Sequence, residues 1–281
     1  MLPKAVDQHK PNKPLVPNGL GVVYVLVSAV YLFLLYYFNY PGALPLAGCV
    51  LFGGFMGLLD DWMDLRWRYK ALLPIFASLP LAVEREALGP EATKMATYIF
   101  GRIDFGIYFY LLMIPIVVTI TANTVNQLGG LNGLETICPS IVMVGLMITS
   151  PKTNVLLFAP LLVCVVLAIL NFSGKIFVGN TGTFAAGITL ASYAIIANNE
   201  QTLLISVLPY VFNSSLILLH IFLFRKTARL VMSGNKLHSD NRRSLLTLIA
   251  HHRPLTERKL VAVVSLLLVF STLTAVLLWS L

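Results

Sequence analysis

Nine apolar runs separated by short polar connections take up most of this chain, and they leave it few ways to fold. A bilayer is crossed by about 20 predominantly apolar residues in a helix, because in lipid every backbone polar group must be satisfied within the chain. The runs fall at 19–38, 43–59, 71–84, 105–122, 137–149, 154–171, 181–198, 203–224 and 259–280, with 71–84 and 137–149 the shortest. The expected fold class is all-α: a polytopic transmembrane helical bundle of about nine spans, a single domain over 1–281. Charged residues make up only 11% of the chain, where a soluble domain carries roughly 25%. The bilayer is therefore a required partner.

The formal charge of +8 reads as topology and anionic partners. Lys and Arg sit in loops without interleaved aromatics, so no nucleic acid is expected to bind. Alternating the loops across the membrane puts sixteen of the twenty cations on one side. That side holds the N-terminal loop 1–18, the 60–70 loop, Lys175 and a long basic segment at 225–258 together with Lys259. Only Arg85, Lys94, Arg102 and Lys152 fall on the other. The positive-inside rule makes the richer side cytosolic. Cys49, Cys138 and Cys164 lie in apolar runs without metal spacing and read as small buried hydrophobes. The first twenty residues are polar and proline-rich, with no apolar core of a cleavable signal.

Every polar cluster of interest falls on the cytosolic side. GLLDDWMDLRWRYK (57–70) sets Asp60, Asp61 and Asp64 at the mouth of a span, followed by Arg66, Arg68 and Lys70. Carboxylates are costly near lipid and by default functional there; neighbouring ones take a proton or a divalent cation. A solvated helix end is the plainer alternative. TANTVNQLGGLNGLE (121–135) places Asn123 and Asn126 on one helix face, breaks at Gly129, Gly130 and Gly133, and presents Asn132 and Glu135. It reads equally as an interhelical turn. Asn180 and Thr181 precede another span, either as caps or as an anion site. FRKTARL (224–230) is a positive-inside anchor or, through Arg225, a phosphate clamp. His251 and His252 read as solvated or interfacial, and His220 as hydrogen-bonded within the bundle. Gathering at one face, and not along a midplane path, argues against a transporter.

These stretches carry a resemblance. GLLDDWMDLRWRYKALLPIFASLPL, IDFGIYFY, ANTVNQLGGLNGLE, KIFVGNTGTFAAG and ERKLVAVVSLLL resemble, in order and over nearly the whole chain, the polyprenyl-phosphate sugar-1-phosphate transferases. The eukaryotic members that join GlcNAc-1-phosphate to dolichyl phosphate are the nearer likeness, and the bacterial phospho-MurNAc-pentapeptide translocases the more distant. The resemblance implies an endoplasmic reticulum enzyme, multi-pass, with its active site facing the cytosol. Its substrates would be UDP-GlcNAc and dolichyl phosphate, its products GlcNAc-PP-dolichol and UMP, and its cofactor Mg2+. The reaction would be the first step of lipid-linked oligosaccharide synthesis for N-glycosylation. Asp60, Asp61 and Lys70 match the family's catalytic positions, and Asn126 and Asn180 its magnesium positions. Asn132 matches the uridine-facing asparagine. Asp7, Gln8, Asn18, Trp67, Asn123, Glu135, Arg225, Lys226 and Thr227 fall in its substrate-binding regions.

The family has ten spans, and this chain is expected to lack the first, its start resembling the loop that follows. The apolar surface so exposed is expected to lower stability or to drive homo-oligomerisation. Three residue patterns depart from the family. Gly179-Asn180-Thr181 stands for Gly-Asp-Thr, which bears on metal affinity. Asn18 replaces a glutamate, which bears on nucleotide binding. Arg225-Lys226-Thr227 lacks the histidine of an arginine-histidine-arginine signature, which bears on sugar selectivity. They motivate one alternative, a catalytically weakened or inactive homologue that binds lipid phosphate as a membrane scaffold.

Overall fold

The centre of the bundle is a helix of small residues. In a computed structural model, which describes residues 3–10, 12–83, 93–97 and 101–280, Gly179–Ile196 is buried at every position from Thr181 onward. In chain order the helices are α1 (Gly21–Tyr37), α2 (Ala43–Met63), α3 (Trp67–Leu72), α4 (Pro74–Ala77), α5 (Leu79–Val83) and α6 (Ile114–Gln127). They continue with α7 (Leu134–Thr149), α8 (Phe158–Phe172), α9 (Gly179–Ile196), α10 (Glu200–Ser206), α11 (Leu208–Phe224), α12 (Leu245–His252) and α13 (Glu257–Trp279). A π-helical turn at Phe109–Met113 leads into α6, and a 3-10 turn at Asn154–Leu157 into α8.

Hydrophobicity does not drive helix against helix in lipid, so membrane helices associate through close packing of small residues. α9 does this on two sides. A Cβ on Gly21 of α1 would lie 2.1 Å from the Gly182 nitrogen. One on Gly57 of α2 would lie 2.3 Å from the Asn180 carbonyl oxygen. Backbones this close leave room for glycine alone, and they set the C-terminal end of α2 beside the start of α9. Outside, Leu26, Val30 and Phe33 of α1, Leu162 and Ile169 of α8, and Leu266 and Phe270 of α13 face outward as a lipid-exposed surface would.

Four helical stretches are long and apolar enough to cross a membrane: Ala43–Met63, Phe109–Gln127, Asn154–Phe172 and Glu257–Trp279. α10 and α11, bent by 58°, make a fifth if the pair is one span, and α1 and α7 are shorter apolar helices. The chain is a polytopic all-α membrane protein, but a count of nine spans is not reached among the described residues. Two departures from the expectation have physical reasons. α9 does not pass on apolarity because protein, not lipid, surrounds it. The segment 71–84 is no single helix: it breaks at Leu73 and Ser78, and Pro74 and Pro80 stand in the first two positions of the pieces that follow. Proline lacks an N–H to continue a preceding helix. Residues 84–92 lie outside the described residues, Arg85 among them.

Among the described residues, three two-stranded antiparallel sheets decorate the bundle: β1 (Lys4–Val6) with β2 (Leu15–Pro17), β3 (Lys94–Thr97) with β4 (Gly101–Asp104), and β5 (Val231–Ser233) with β6 (Lys236–His238). Apolar periodicity carries no signal for pairs this short. The first hairpin matters to the site. Phe177 N–H donates to Pro17 O at 2.8 Å and Gly21 N–H to Val178 O at 2.8 Å, which docks the N-terminal segment against the strand-like approach to α9.

Candidate active site

α2 runs one turn beyond its apolar stretch, so Asp60 and Asp61 belong to its last turn and not to the loop. Asp64, in the left-handed conformation at φ 46°, closes it. A rotation of about 100° per residue sends the two carboxylates to different neighbours. Asp60 is buried, at 3% exposure. Its Oδ1 receives the Lys70 ammonium at 2.8 Å and the Leu65 N–H at 3.0 Å. Its Oδ2 is buried with no hydrogen-bond partner. Lys70 also approaches the exposed Asp64, at 3.6 Å.

Asp61 is spent on the fold. Its Oδ1 accepts from the Asn180 N–H at 2.8 Å, and its Oδ2 from the Thr181 N–H at 2.9 Å and the Thr181 hydroxyl at 2.7 Å. A helix N-terminus leaves its first N–H groups unpartnered and favours negative charge. α9 has no side-chain cap from its own Val178, and Asp61 supplies one from another helix. Gly179, at φ +74°, permits the approach: a Cβ there would meet Asp61 Oδ2 at 2.8 Å and Asn18 Oδ1 at 3.0 Å. Thr181 is thus capped, and the expected anion at this helix start is a carboxylate of the chain itself.

Of the two amides expected to hold metal, Asn126 is tied to α9 through Thr183, whose hydroxyl donates to Asn126 Oδ1 at 2.6 Å and also lies 3.3 Å from the Asn180 backbone carbonyl. Asn123, on the same face of α6, bonds its own helix at Thr119 O. Among the described residues no three His, Cys, Asp or Glu side chains converge as a metal cluster. What gathers here is hard oxygen: the Asn126 and Asn180 amides beside α2's acidic turn, with Asp60 Oδ2 unpartnered. Magnesium is commonly held by one or two carboxylates plus substrate phosphates, keeping several waters. The donor chemistry fits.

Beyond the end of α6, Gly130 and Gly133 take φ values of 102° and 109°, and the loop turns Asn132 into a buried cluster. Asn132 Nδ2 donates to Asp7 Oδ2 at 2.8 Å and to Glu257 Oε1 at 2.9 Å. Its backbone N–H donates to the same Glu257 oxygen at 2.9 Å. Lys10 pairs with Glu257 at 3.6 Å. Glu135 lies ahead of the apolar run of α7; its Oε1 accepts from Gly130 N–H at 3.3 Å and its Oε2 is buried and unpartnered. Burial pushes its carboxyl up to about 7.

The basic segment closes the far wall. A cleft of about 470 Å³ is lined by Gln8, Gln127, Gly129, Gly130 and Arg229 among others. Gln127 Oε1 is buried without a partner. Arg225, Lys226 and Thr227 are exposed, and Thr227 O accepts from Arg243 at 2.7 Å. Trp67 meets Phe222 edge to face at 5.6 Å, so α3, which carries Lys70, packs beside the end of α11 that leads to Arg225. One end of the bundle therefore collects the N-terminal hairpin, the acidic turn, the Asn/Gly loop, the start of α9 and the basic segment.

Residues 43–198, from α2 to the end of α9, match the model of glycosyl transferase family 4. The chain belongs to that family. It is 33% identical over 218 residues to a putative UDP-N-acetylglucosamine–dolichyl-phosphate N-acetylglucosaminephosphotransferase of Saccharolobus solfataricus, covering 73% of this chain and 66% of the relative. To the Dictyostelium discoideum protein named for the same activity it is 29% identical, over 70% of this chain and 59% of the relative. A phospho-N-acetylmuramoyl-pentapeptide-transferase of Prochlorococcus marinus is 26% identical over 84% and 67%. The chain thus spans about two thirds of the length of its archaeal relatives.

The family 4 match contains the acidic turn, both amides and Glu135, while Asp7, Arg225 and Glu257 lie outside it. Three contributors escape a reading of the sequence. Glu257 reads as a helix-start acid, Thr183 as one hydroxyl in a small-residue helix, and Asn171 as a buried polar in a span. In the structure Asn171 Oδ1 receives the Gly133 N–H at 2.7 Å and its Nδ2 donates to Ile176 O at 2.9 Å, tying the loop to the approach of α9. Only the pairing of distant segments reveals them.

Proposed function

We propose that this family 4 protein transfers GlcNAc-1-phosphate from UDP-GlcNAc to dolichyl (polyprenyl) phosphate, releasing UMP. The names of the archaeal and amoebal relatives support the substrates. The observation that carries the reading is Asp60. It is a buried carboxylate at the membrane mouth, with one oxygen locked to Lys70 and the other free. A group in that state is ready to hold a second phosphate-bearing substrate beside a cation.

In the proposed reaction an oxygen of the lipid phosphate attacks the β-phosphorus of UDP-GlcNAc. A new P–O bond forms, the bond from the β-phosphorus to the bridging oxygen breaks, and UMP leaves with that electron pair. The sugar keeps its own phosphate. Catalysis of phosphoryl transfer is mostly positioning and charge neutralisation. Asp60 Oδ2 accepts the O–H of a singly protonated lipid phosphate and takes that proton as the attack proceeds, while Lys70 shares the developing charge and Arg225 follows at the end of α11. Asp61 positions the start of α9, and with it Asn180, without touching substrate. Asn126 and Asn180 would hold magnesium, which when bound neutralises charge on the diphosphate. The distribution of cations supports a cytosol-facing site, and the dolichol-linked relatives an endoplasmic reticulum membrane. A scaffold that only binds lipid phosphate would use Asp60 in the same way, but the names of the relatives favour the enzyme.

The test is transfer by the detergent-purified protein of radiolabel from UDP-GlcNAc to polyprenyl phosphate, with UMP measured in parallel. Magnesium-dependent labelling of lipid with one UMP per lipid is expected. Folded protein that labels no lipid at any magnesium concentration would move the scaffold ahead.

A further inference from the structure

Apart from the cleft that the proposed reaction uses, a second polar cavity of about 300 Å³ opens at the same end of the bundle. His9, Lys10, Asn235, Lys236, Glu257 and Arg258 line it, among others. Three segments build it: the tip between β1 and β2, the turn between β5 and β6, and the start of α13. The last two are tied directly. Leu237 N–H donates to Leu255 O at 2.7 Å and Leu255 N–H to Leu237 O at 3.2 Å, so β6 runs beside the residues that lead into α13. The two-residue turn Gly234-Asn235, with Gly234 at φ +60°, then presents Lys236. Arg258 is steered by an aromatic face: its guanidinium carbon stands 5.6 Å from the Phe172 ring centroid. Thr256, also on the wall, makes no side-chain cap, so the positive pole of α13 adds to the field there.

Lys10, Lys236 and Arg258 set three positive charges around this cavity against the single carboxylate of Glu257, an excess of two. Lys10 meets that carboxylate at 3.6 Å. Among the described residues no acid pairs with Lys236 or Arg258. Cations left unneutralised on a concave polar wall suit a phosphate, which takes the paired N–H groups of arginine and the point charges of lysine. We infer that the cavity is a second anion site, which takes the phosphate group of a phosphate ester, and that the transfer cleft senses its occupant through Glu257. That residue lies on the cavity wall, and its Oε1 receives the backbone and the side-chain N–H of Asn132, both at 2.9 Å. A phosphate that draws Lys10 to itself changes the electrostatic hold on the acceptor that fixes the Gly130–Gly133 loop. His9 stands on the wall of both cavities. The site itself is independent of the proposed reaction; only its effect at the cleft rests on that reading. Two sources carry such a group. One is a soluble phosphate ester, and the other a phospholipid whose chain follows the apolar groove of about 440 Å³ between α7 and α8, which Phe172 also lines.

The experiment measures binding of glycerol 3-phosphate to the detergent-purified full chain at fixed ionic strength, for the parent, Lys236→Gln, Arg258→Gln and Lys4→Gln. Saturable binding at about 1 mM or tighter is expected of the parent. Lys236→Gln and Arg258→Gln should each weaken it about tenfold, the scale of one charge-assisted hydrogen bond. Lys4 is exposed on β1 and does not line the cavity. Its glutamine variant loses the same charge elsewhere and should stay within about twofold of the parent. Melting temperatures show whether each variant folds, and should Arg258→Gln not fold, Lys236→Gln alone must show the loss. Nanodiscs of phosphatidylcholine with and without phosphatidic acid, which carries the same group on acyl chains, separate the two sources. A melting temperature raised by phosphatidic acid in the parent and not in Lys236→Gln assigns the site to lipid. An equal loss in Lys4→Gln reduces the effect to net charge and overturns the site, as does binding from neither source. As the ester saturates, UDP affinity should shift to a plateau, the mark of coupling between two sites. A shift that grows without limit is simple competition, which puts the ester in the transfer cleft and overturns the inference; an unmoved UDP affinity refutes the link through Glu257. A parent that binds the ester but not UDP defeats the nucleotide reading and leaves the anion site standing.

Discussion

The α2–α9 junction and the α2–α3 turn meet in one helical turn, and they treat neighbouring carboxylates in opposite ways. At the junction Asp61 accepts three hydrogen bonds and both its oxygens are occupied. At the turn Asp60 is held through one oxygen by Lys70 and Leu65 and keeps the other free in a buried place. Two acids in sequence thus look like a pair sharing one task, whereas the structure divides the work. One builds the helix start that carries Asn180, and the other is the one assigned to the proposed chemistry. Satisfaction of hydrogen bonds separates them, not charge or spacing.

The harshest way to break the comparison is to push the two helices apart. Gly57→Ala puts a Cβ against the Asn180 carbonyl, at 2.3 Å, where backbone cannot yield as a side chain would. Overpacking of a tight core costs about 3 kcal/mol or more at the upper end. The variant should melt far below the parent and lose transfer with it; an unchanged melting temperature would mean the junction is looser than described. Next comes Asn180→Asp. It adds a negative charge at one of the two neutral amides proposed to hold magnesium. Gaining a ligand charge should lower the magnesium concentration for half-maximal transfer by about ten- to a hundredfold, roughly 1.4 to 3 kcal/mol. A magnesium titration at saturating UDP-GlcNAc reads this, and an unmoved midpoint would place residue 180 away from the metal. The smallest effect belongs to Asp64→Asn. That side chain is fully exposed and only 3.6 Å from Lys70 at its nearest; exposed ion pairs contribute little. Turnover and melting temperature should both stay at parental values, and a large rate loss would widen the acidic site to three residues.

Much of this was legible in the sequence. Apolar runs gave the membrane bundle, and the polar clusters that loop alternation put on one side do meet at one end of it. Asp7 and Asn132, 125 residues apart, were both assigned to the nucleotide region and hydrogen-bond each other. The illegible part is where packing overrides periodicity. α9 carries too many small and hydroxyl residues to look like a span because it touches protein on all sides. The 71–84 stretch has the composition of a span, yet prolines break it into short pieces. Glu257 and Thr183 gain their roles only from partners more than fifty residues away, and no local pattern records that. Nor does the sequence say which of Asp60 and Asp61 is free, since the answer lies in whose N–H groups point at them.

The division between those two carboxylates is most directly tested by measuring Asp60→Asn and Asp61→Asn side by side for melting temperature and for transfer per folded molecule. Asp60→Asn should keep a melting temperature near the parent and lose at least about a hundredfold in turnover, the usual scale for a lost acid–base or positioning group. Asp61→Asn places an amide where two N–H groups and a hydroxyl need acceptors. It should cost about 2 kcal/mol of stability while the molecules that remain folded keep most of their rate. A destabilised but active Asp60→Asn beside a stable but inactive Asp61→Asn would reverse the assignment, and equal effects on both measurements would show that the two acids act as one pair after all.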